Sequence, residues 1–252
     1  MVRALKNGTA TVTARSGSVS ATVAVTVRQA AVLLVVISGD AHSCIEGQRT
    51  IQSVVDDIRI YVSFDSIDGL GGTLGQAGPC IIRTKTGFPV VGAMQFDRQD
   101  LENRFLTPEV LLPLILHEMG HVLGIGTMRG LTIDGLVIND LLRNPCVGIG
   151  NAGSDTHFVR PLAIAAFDAA GGTSHTGGEK VPVENNGMVG SADAHWRESV
   201  LGNELMTSGL NPGSNPLSAI TIQSLADVGY RVDVGPADFF SPVFTVPALA
   251  RE

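Results

Sequence analysis

His117-Glu118-Met119-Gly120-His121 sets two imidazoles and a carboxylate within five residues. On a helix, positions i and i+4 share a face, so both rings reach one metal ion. Imidazole nitrogens bind zinc at about 2.0–2.1 Å, and a catalytic zinc takes three protein ligands and keeps a fourth position for water. Glu118 stands beside the pair, where it reaches such a water. Zinc lowers the pKa of that water to roughly 7, and a nearby carboxylate takes its proton. The chemistry implied is hydrolytic attack on a carbonyl carbon. Leu111, Leu114, Ile115, Leu116, Val122 and Leu123 surround the motif. Burying two histidines and a glutamate among them without a metal would be costly.

Two histidines leave the ligand set one short. A compact motif would carry its third histidine six residues after the second, but that position is Thr127. The remaining candidates are His157, His175 and His195 and the carboxylates Glu179, Glu184 and Glu198, with His42 upstream. Spacing alone does not choose among them. His157 and His175 lie in glycine-rich surroundings and are expected to be exposed. Cys44 is a thiol that could block a zinc ion, although a buried or half-exposed thiol is the simpler expectation. Cys80 and Cys146 could form a bridge. Asp65, Asp68, Asp97 and Asp100 lack EF-hand spacing, so a calcium site is not expected.

The elements that must position these groups follow from local patterns. Residues 107–124 form the best helix candidate, with Thr107 as N-cap and Pro108 at the first helical position. Pro113 kinks this run or marks its start, and Gly124 ends it in a left-handed conformation. Ile51, Val54, Val55 and Ile58 suit a helical face, and residues 58–64 then read as a strand. Residues 68–72 and 75–79 read as turn-rich loops. Two further strands follow, at 80–83 and 89–96. A second helix spans 161–170, stopped by Gly171-Gly172, and residues 171–191 read as an extended glycine-rich loop. A last helix runs over 220–228, with Ser218 or Thr221 as cap and Gly229 as stop. The first 28 residues alternate small, polar and β-branched types around Ser16-Gly17-Ser18, which predicts a β-hairpin.

Composition narrows the function classes. Seventeen basic against 24 acidic residues give a net charge of −7. That argues against nucleic acid, which needs a basic surface, and against an anionic membrane face. No transmembrane segment is expected: the apolar run 30–37 is about eight residues where roughly 20 are needed. It also starts too late for a signal peptide. Charged residues are 16% and hydrophobic residues 44%, which favours a buried core over disorder.

The stretch from His117 through Gly124-Ile125-Gly126-Thr127 resembles the zinc helix of the leishmanolysin-like metallopeptidases, a metzincin family whose third histidine follows a long insertion. Ala194-His195-Trp196-Arg197-Glu198 and Asn203-Glu204-Leu205-Met206-Thr207 are similar to its third-ligand and Met-turn segments. Residues 220–230 resemble its closing helix, and Gly69 to Cys80 also looks familial. The resemblance covers roughly residues 50–235. It implies that His195 is the third ligand of one catalytic zinc and that Met206 forms a turn beneath the metal without coordinating it. It also implies a protein or peptide substrate and an extracellular or cell-surface location.

The expectation is therefore an α+β, two-lobed metzincin-like metalloendopeptidase. A twisted sheet and the zinc helix would form its N-terminal lobe, and a loop-rich C-terminal lobe would carry the Met-turn and closing helix. Residues 50–252 form the catalytic domain, 29–49 a linker and 1–28 the hairpin, which resembles the end of a bacterial immunoglobulin-like domain. A peptide would lie extended along an edge strand, with 89–96 the expected one. Two other readings stand beside this one. One is a noncatalytic adhesion module that retains the peptidase fold, against which the intact Glu118 weighs. The other makes Glu179 or Glu184 the third ligand.

Overall fold

The computed structural model describes residues 2–3, 8–16, 19–27, 35–37, 53–55, 57–83, 86–103, 107–130, 132–133, 136–137, 140–146, 155–186 and 190–242. It divides into two compact units, Met1–Asp140 and Leu141–Glu252, each with its own set of elements.

The first unit contains β1 (Val2–Arg3), β2 (Gly8–Ser16), β3 (Val19–Val27), β4 (Val35–Ile37), β5 (Ser53–Val55), β6 (Arg59–Asp65), β7 (Gly75–Ile82), β8 (Pro89–Asp97), α1 (Arg98–Asn103) and α2 (Pro108–Val122). A 3-10 turn (Thr127–Gly130), β9 (Thr132–Ile133) and β10 (Leu136–Val137) follow. β2 and β3 form the expected hairpin, in register from Gly8 opposite Val27 to Ser16 opposite Val19. Residues 53–55 are not helical. They pair antiparallel with β4, Val35 opposite Val55, because β-branched side chains fit a pleated ladder better than a helical turn.

The main sheet runs β1-β6-β8-β7. β6 and β8 are parallel, and β7 is antiparallel to β8. β8 is therefore interior, and its near-continuous burial fits that place. The expected peptide-binding edge at 89–96 is thus taken on both sides. The edges are β1 and β7, and the first residues of β7 read as a loop from sequence because Gly75, Gly78 and Pro79 are turn formers. An edge strand tolerates glycine and proline, and the register shifts beside Pro79 and Ile81.

Helix α2 packs on β7 and β8. Leu111, Leu114, Ile115 and Val122 of the helix are buried, as are Val90, Val91, Met94 and Phe96 of β8. Gly92 makes the close approach possible, since a Cβ there would lie 2.4 Å from Val122 Cγ1. The helix starts at Pro108 after an extended Thr107 and runs through Pro113. The carbonyl that Pro113 would oppose belongs to Glu109, in the first turn, so the disruption stays local. Gly124, at φ 107°, turns the chain away. Residues 109–130 are long and apolar enough to cross a membrane by length and composition, yet 61% of that window is buried inside the protein.

The second unit contains β11 (Leu142–Arg143), β12 (His157–Phe158), α3 (Pro161–Ala169), α4 (Thr173–Thr176), β13 (Val181–Pro182), α5 (Glu198–Leu201) and α6 (Ala219–Val228). The glycine-rich stretch 171–191 thus holds a helical turn and a short strand. The three strands form one sheet, β11-β12-β13, and α3 packs on α6. Ser218 caps α6 by accepting the Ile220 and Thr221 N–H groups, and Gly229 ends it at φ 118°. The Asp227 carboxylate, near the other end of α6, accepts the Leu162 and Ala163 N–H groups at the start of α3.

One buried carboxylate organises the turn between β6 and β7. Asp97 Oδ2 accepts the N–H groups of Ile67 (2.7 Å), Asp68 (3.2 Å) and Gly69 (3.1 Å). Its Oδ1 accepts those of Gln99 (2.8 Å) and Asp100 (3.3 Å), capping α1. The Ile67 N–H leads the backbone donors that hold its pKa down at about 2, against an ordinary 3.8. Because the folded value is the lower one, the charged form favours folding above pH 4, and that contribution is lost as pH falls from about 4 toward 2. Denaturant midpoints measured from pH 7 to pH 2 should show this acid-side fall. Asp97→Asn should be less stable at pH 7 and flatter between pH 4 and pH 2. An unaltered acid slope in Asp97→Asn would exclude Asp97 as its source.

Candidate metal centre

Helix α2 sets His117 and His121 one turn apart on one face. Their Nε2 atoms are 3.1 Å apart, and the rings meet edge to face with centroids 4.8 Å apart. Two ligands at about 2.0–2.1 Å from one tetrahedral ion sit roughly 3.3 Å from each other, so the pair is spaced for a shared metal. The Ile125 carbonyl lies 2.9 Å from His121 Nδ1. A carbonyl only accepts, so Nδ1 carries the proton and Nε2 keeps its lone pair for a ligand bond. Gly124 makes this contact possible by turning the chain back at the helix end.

Glu118 is buried (3% exposed). Its Oε2 has no hydrogen-bond partner among the described residues. Desolvation pushes its pKa up to about 8. Such a group is a strong proton acceptor, held away from water that would compete for it. The start of β7 covers it: a Cβ at Gly75 would lie 2.6 Å from Glu118 Oε1. Gly75 was not identified as a site residue from sequence, where it reads as a turn glycine.

His195 belongs to a segment held on several sides. Its Nδ1 is 2.9 Å from the Ser191 carbonyl, which fixes the same tautomer as in His121. Its own carbonyl accepts the Glu184 N–H, and the next residue, Trp196, donates its N–H to the Met206 carbonyl. Asp193, at φ 65°, shapes the turn before it. Met206 is fully buried and lies in a turn closed by the Thr207 N–H on the Glu204 carbonyl, 3.1 Å. The ligand atoms of His117, His121 and His195 all lie within 4.8 Å of one another, a group able to hold a metal ion.

The family model of leishmanolysin matches residues 22–241. The chain belongs to the leishmanolysin family of metallopeptidases. No curated protein matches it in a sequence search. The match covers most of the chain and begins inside β3, upstream of the residues that carry the resemblance in sequence.

The other ligand candidates of this leishmanolysin-family chain are engaged elsewhere. Glu184 accepts three N–H groups, from Asn185, Asn186 and Glu198, and so ties loop backbone together. Glu198 binds Asn211 and Gly209. Glu179 and His175 are exposed. His157, expected to be exposed, is half-buried on β12 beside Asp155. Cys80 is disulfide-bonded and Cys146 is a thiol, so the Cys80–Cys146 bridge does not form. The Cys146 Sγ instead lies 3.6 Å from the Asn185 carbonyl. His42 and Cys44 fall outside the described residues.

Gly75→Ala tests the fit around Glu118. The added methyl displaces the carboxylate, and a shift of about 1 Å can cost ~100-fold in rate. Casein cleavage should fall by about 10–100-fold while metal content stays at the wild-type level. Wild-type cleavage in Gly75→Ala would show that the carboxylate does not depend on this gap.

Proposed function

We propose that this chain is a zinc metalloendopeptidase that cleaves peptide bonds in proteins or peptides outside the cell or at its surface. The observation that carries the reading is the grouping of three imidazole ligand atoms, with Glu118, buried and with Oε2 unpartnered among the described residues, on the helix that carries two of them. The donor set fits zinc, which favours imidazole nitrogen and takes three protein ligands in catalytic sites. His117, His121 and His195 would hold the ion through nitrogen, with His121 and His195 oriented by the Ile125 and Ser191 carbonyls. Zinc, when bound, supplies Lewis acidity toward a carbonyl oxygen and toward water.

The rest of the chemistry falls to the chain itself. Glu118 accepts the proton of the attacking water and delivers it to the leaving amine. Its burial keeps solvent from taking that proton in between. A substrate peptide adds in extended form along the free side of β7, pairing through main-chain groups. Gly75, at the start of that strand, brings the peptide backbone close to Glu118. Met206 packs as a thioether under the histidines rather than binding the metal.

Zinc content and casein cleavage of two variants test the assignment. Glu118→Ala should keep zinc and lose cleavage by about 10²–10⁴-fold, the usual contribution of a positioned general base. His195→Ala should lose both zinc and cleavage. Full activity in Glu118→Ala removes it from the mechanism, and unchanged zinc binding in His195→Ala removes it from the ligand set.

A further inference from the structure

Glu204 is fully buried, and both of its oxygens are in use. Oε2 accepts the Met206 N–H at 2.7 Å. Oε1 accepts the Ser218 hydroxyl (2.6 Å), the Thr221 hydroxyl (2.6 Å) and the Ser218 N–H (3.2 Å). The Thr221 hydroxyl in turn accepts the Trp196 indole N–H at 2.8 Å. The Trp196 backbone N–H donates to the Met206 carbonyl at 2.9 Å. These bonds close a ring: Trp196 backbone, Met206, Glu204, Thr221, Trp196 side chain. Trp196 directly follows His195, and Ser218 and Thr221 sit at the first turn of α6.

A carboxylate at this depth carries a desolvation cost that an apolar residue of similar size would not. A cap for α6 alone does not require it, because Ser218 already caps that helix with its own hydroxyl. What Glu204 adds is the link from α6 to the Met206 turn and, through the ring, to the backbone that carries His195. Fully satisfied buried networks of this kind rigidify one arrangement.

We propose that Glu204 is a positioning residue whose carboxylate fixes the Met206 turn and the His195–Trp196 segment against the start of α6, pre-organising His195 as a metal ligand. The inference rests on the reading of His195 as a ligand given above.

Glu204→Gln isolates the role. An amide offers one acceptor oxygen instead of two, so with Oε1 kept as oxygen its NH2 faces the Met206 N–H, donor against donor. Thr221→Val is the milder partner, removing only the hydroxyl that links Trp196 to Glu204. Trp196 is the single tryptophan of the chain, so fluorescence of the zinc-free protein reports this segment without reference to activity. Both variants should shift its emission to the red and raise its access to a soluble quencher. Zinc affinity, read by chelator competition, should fall about 10–100-fold in Glu204→Gln, the usual effect of losing a group that orients a ligand. It should fall less in Thr221→Val, and Glu204→Asp, which keeps both acceptor oxygens, should recover part of the loss.

Wild-type emission and wild-type zinc affinity in a folded Glu204→Gln would overturn the proposal. If that variant does not fold, the same two results in Thr221→Val overturn it. His195→Ala, measured alongside, separates the two inferences. Loss of zinc in His195→Ala with none in Glu204→Gln defeats only the positioning role, whereas wild-type zinc affinity in His195→Ala defeats the ligand reading on which it rests.

Discussion

A helix that buries two imidazoles and a carboxylate among leucine, isoleucine and valine must give those polar atoms partners, and the first unit is arranged around that demand. Unpartnered polar groups at such depth cost several kcal/mol in an apolar setting. The chain meets part of the cost with backbone. Gly124 ends α2 and, in the same turn, brings the Ile125 carbonyl to His121 Nδ1. Gly92 admits Val122, which lets the helix sit close on the sheet, and Gly75 leaves the space that Glu118 occupies. Three glycines thus act at close approaches or turns. Glu118 Oε2 has no hydrogen-bond partner among the described residues, and in the proposed chemistry it is the atom a water would engage.

The choice of partners also sets the charge of the site. His121 and His195 are each oriented by a carbonyl rather than by a carboxylate. A carbonyl fixes the tautomer as firmly but adds no negative charge. Neutral imidazole ligands would leave a divalent cation its full charge, and with it greater polarising power toward a substrate carbonyl. Glu118 lies beside the two helix histidines, and its burial favours taking up a proton. In the proposed mechanism the metal would polarise the substrate carbonyl and Glu118 would move the proton.

What was legible in sequence was local. His117, Glu118 and His121 are readable because a helix converts a spacing of four into a shared face, and α6 is readable from Ser218 at one end and Gly229 at the other. The third histidine is not legible from spacing, since no short-range rule ties residue 195 to residue 121; only the resemblance singled it out. The first half of β7 escaped because Gly75, Gly78 and Pro79 are turn residues by propensity, and pairing with β8 overrides them, while its end lies in the strand expected at 80–83. Residues 53–55 escaped for the converse reason, their spacing suiting a helix while their branched side chains enter a ladder with β4. Pro113 was over-read as a boundary, since its effect is confined to the first turns. Glu204 left no signal, because a glutamate in a polar-looking stretch reads as surface until its donors are seen around it.

Glu204 and Asp97 show why burial alone does not set the behaviour of a carboxylate. Both are fully buried and both accept at least four hydrogen bonds, yet Asp97 is held down at about 2 while Glu204 is pushed up. The difference lies in which effect leads, hydrogen bonding for Asp97 and desolvation for Glu204. All five on Asp97 are backbone N–H groups, which only donate and so favour the charged form without exception. On Glu204 the Ser218 and Thr221 hydroxyls lead the bonds that favour the charged form, followed by the Met206 and Ser218 N–H groups, yet desolvation outweighs them all. The turn fastened by Asp97 is tied by charge. The ring through Glu204, Thr221 and Trp196 is tied by hydrogen bonds that favour the carboxylate and work against its desolvation, holding the His195–Trp196 segment to the Met206 turn.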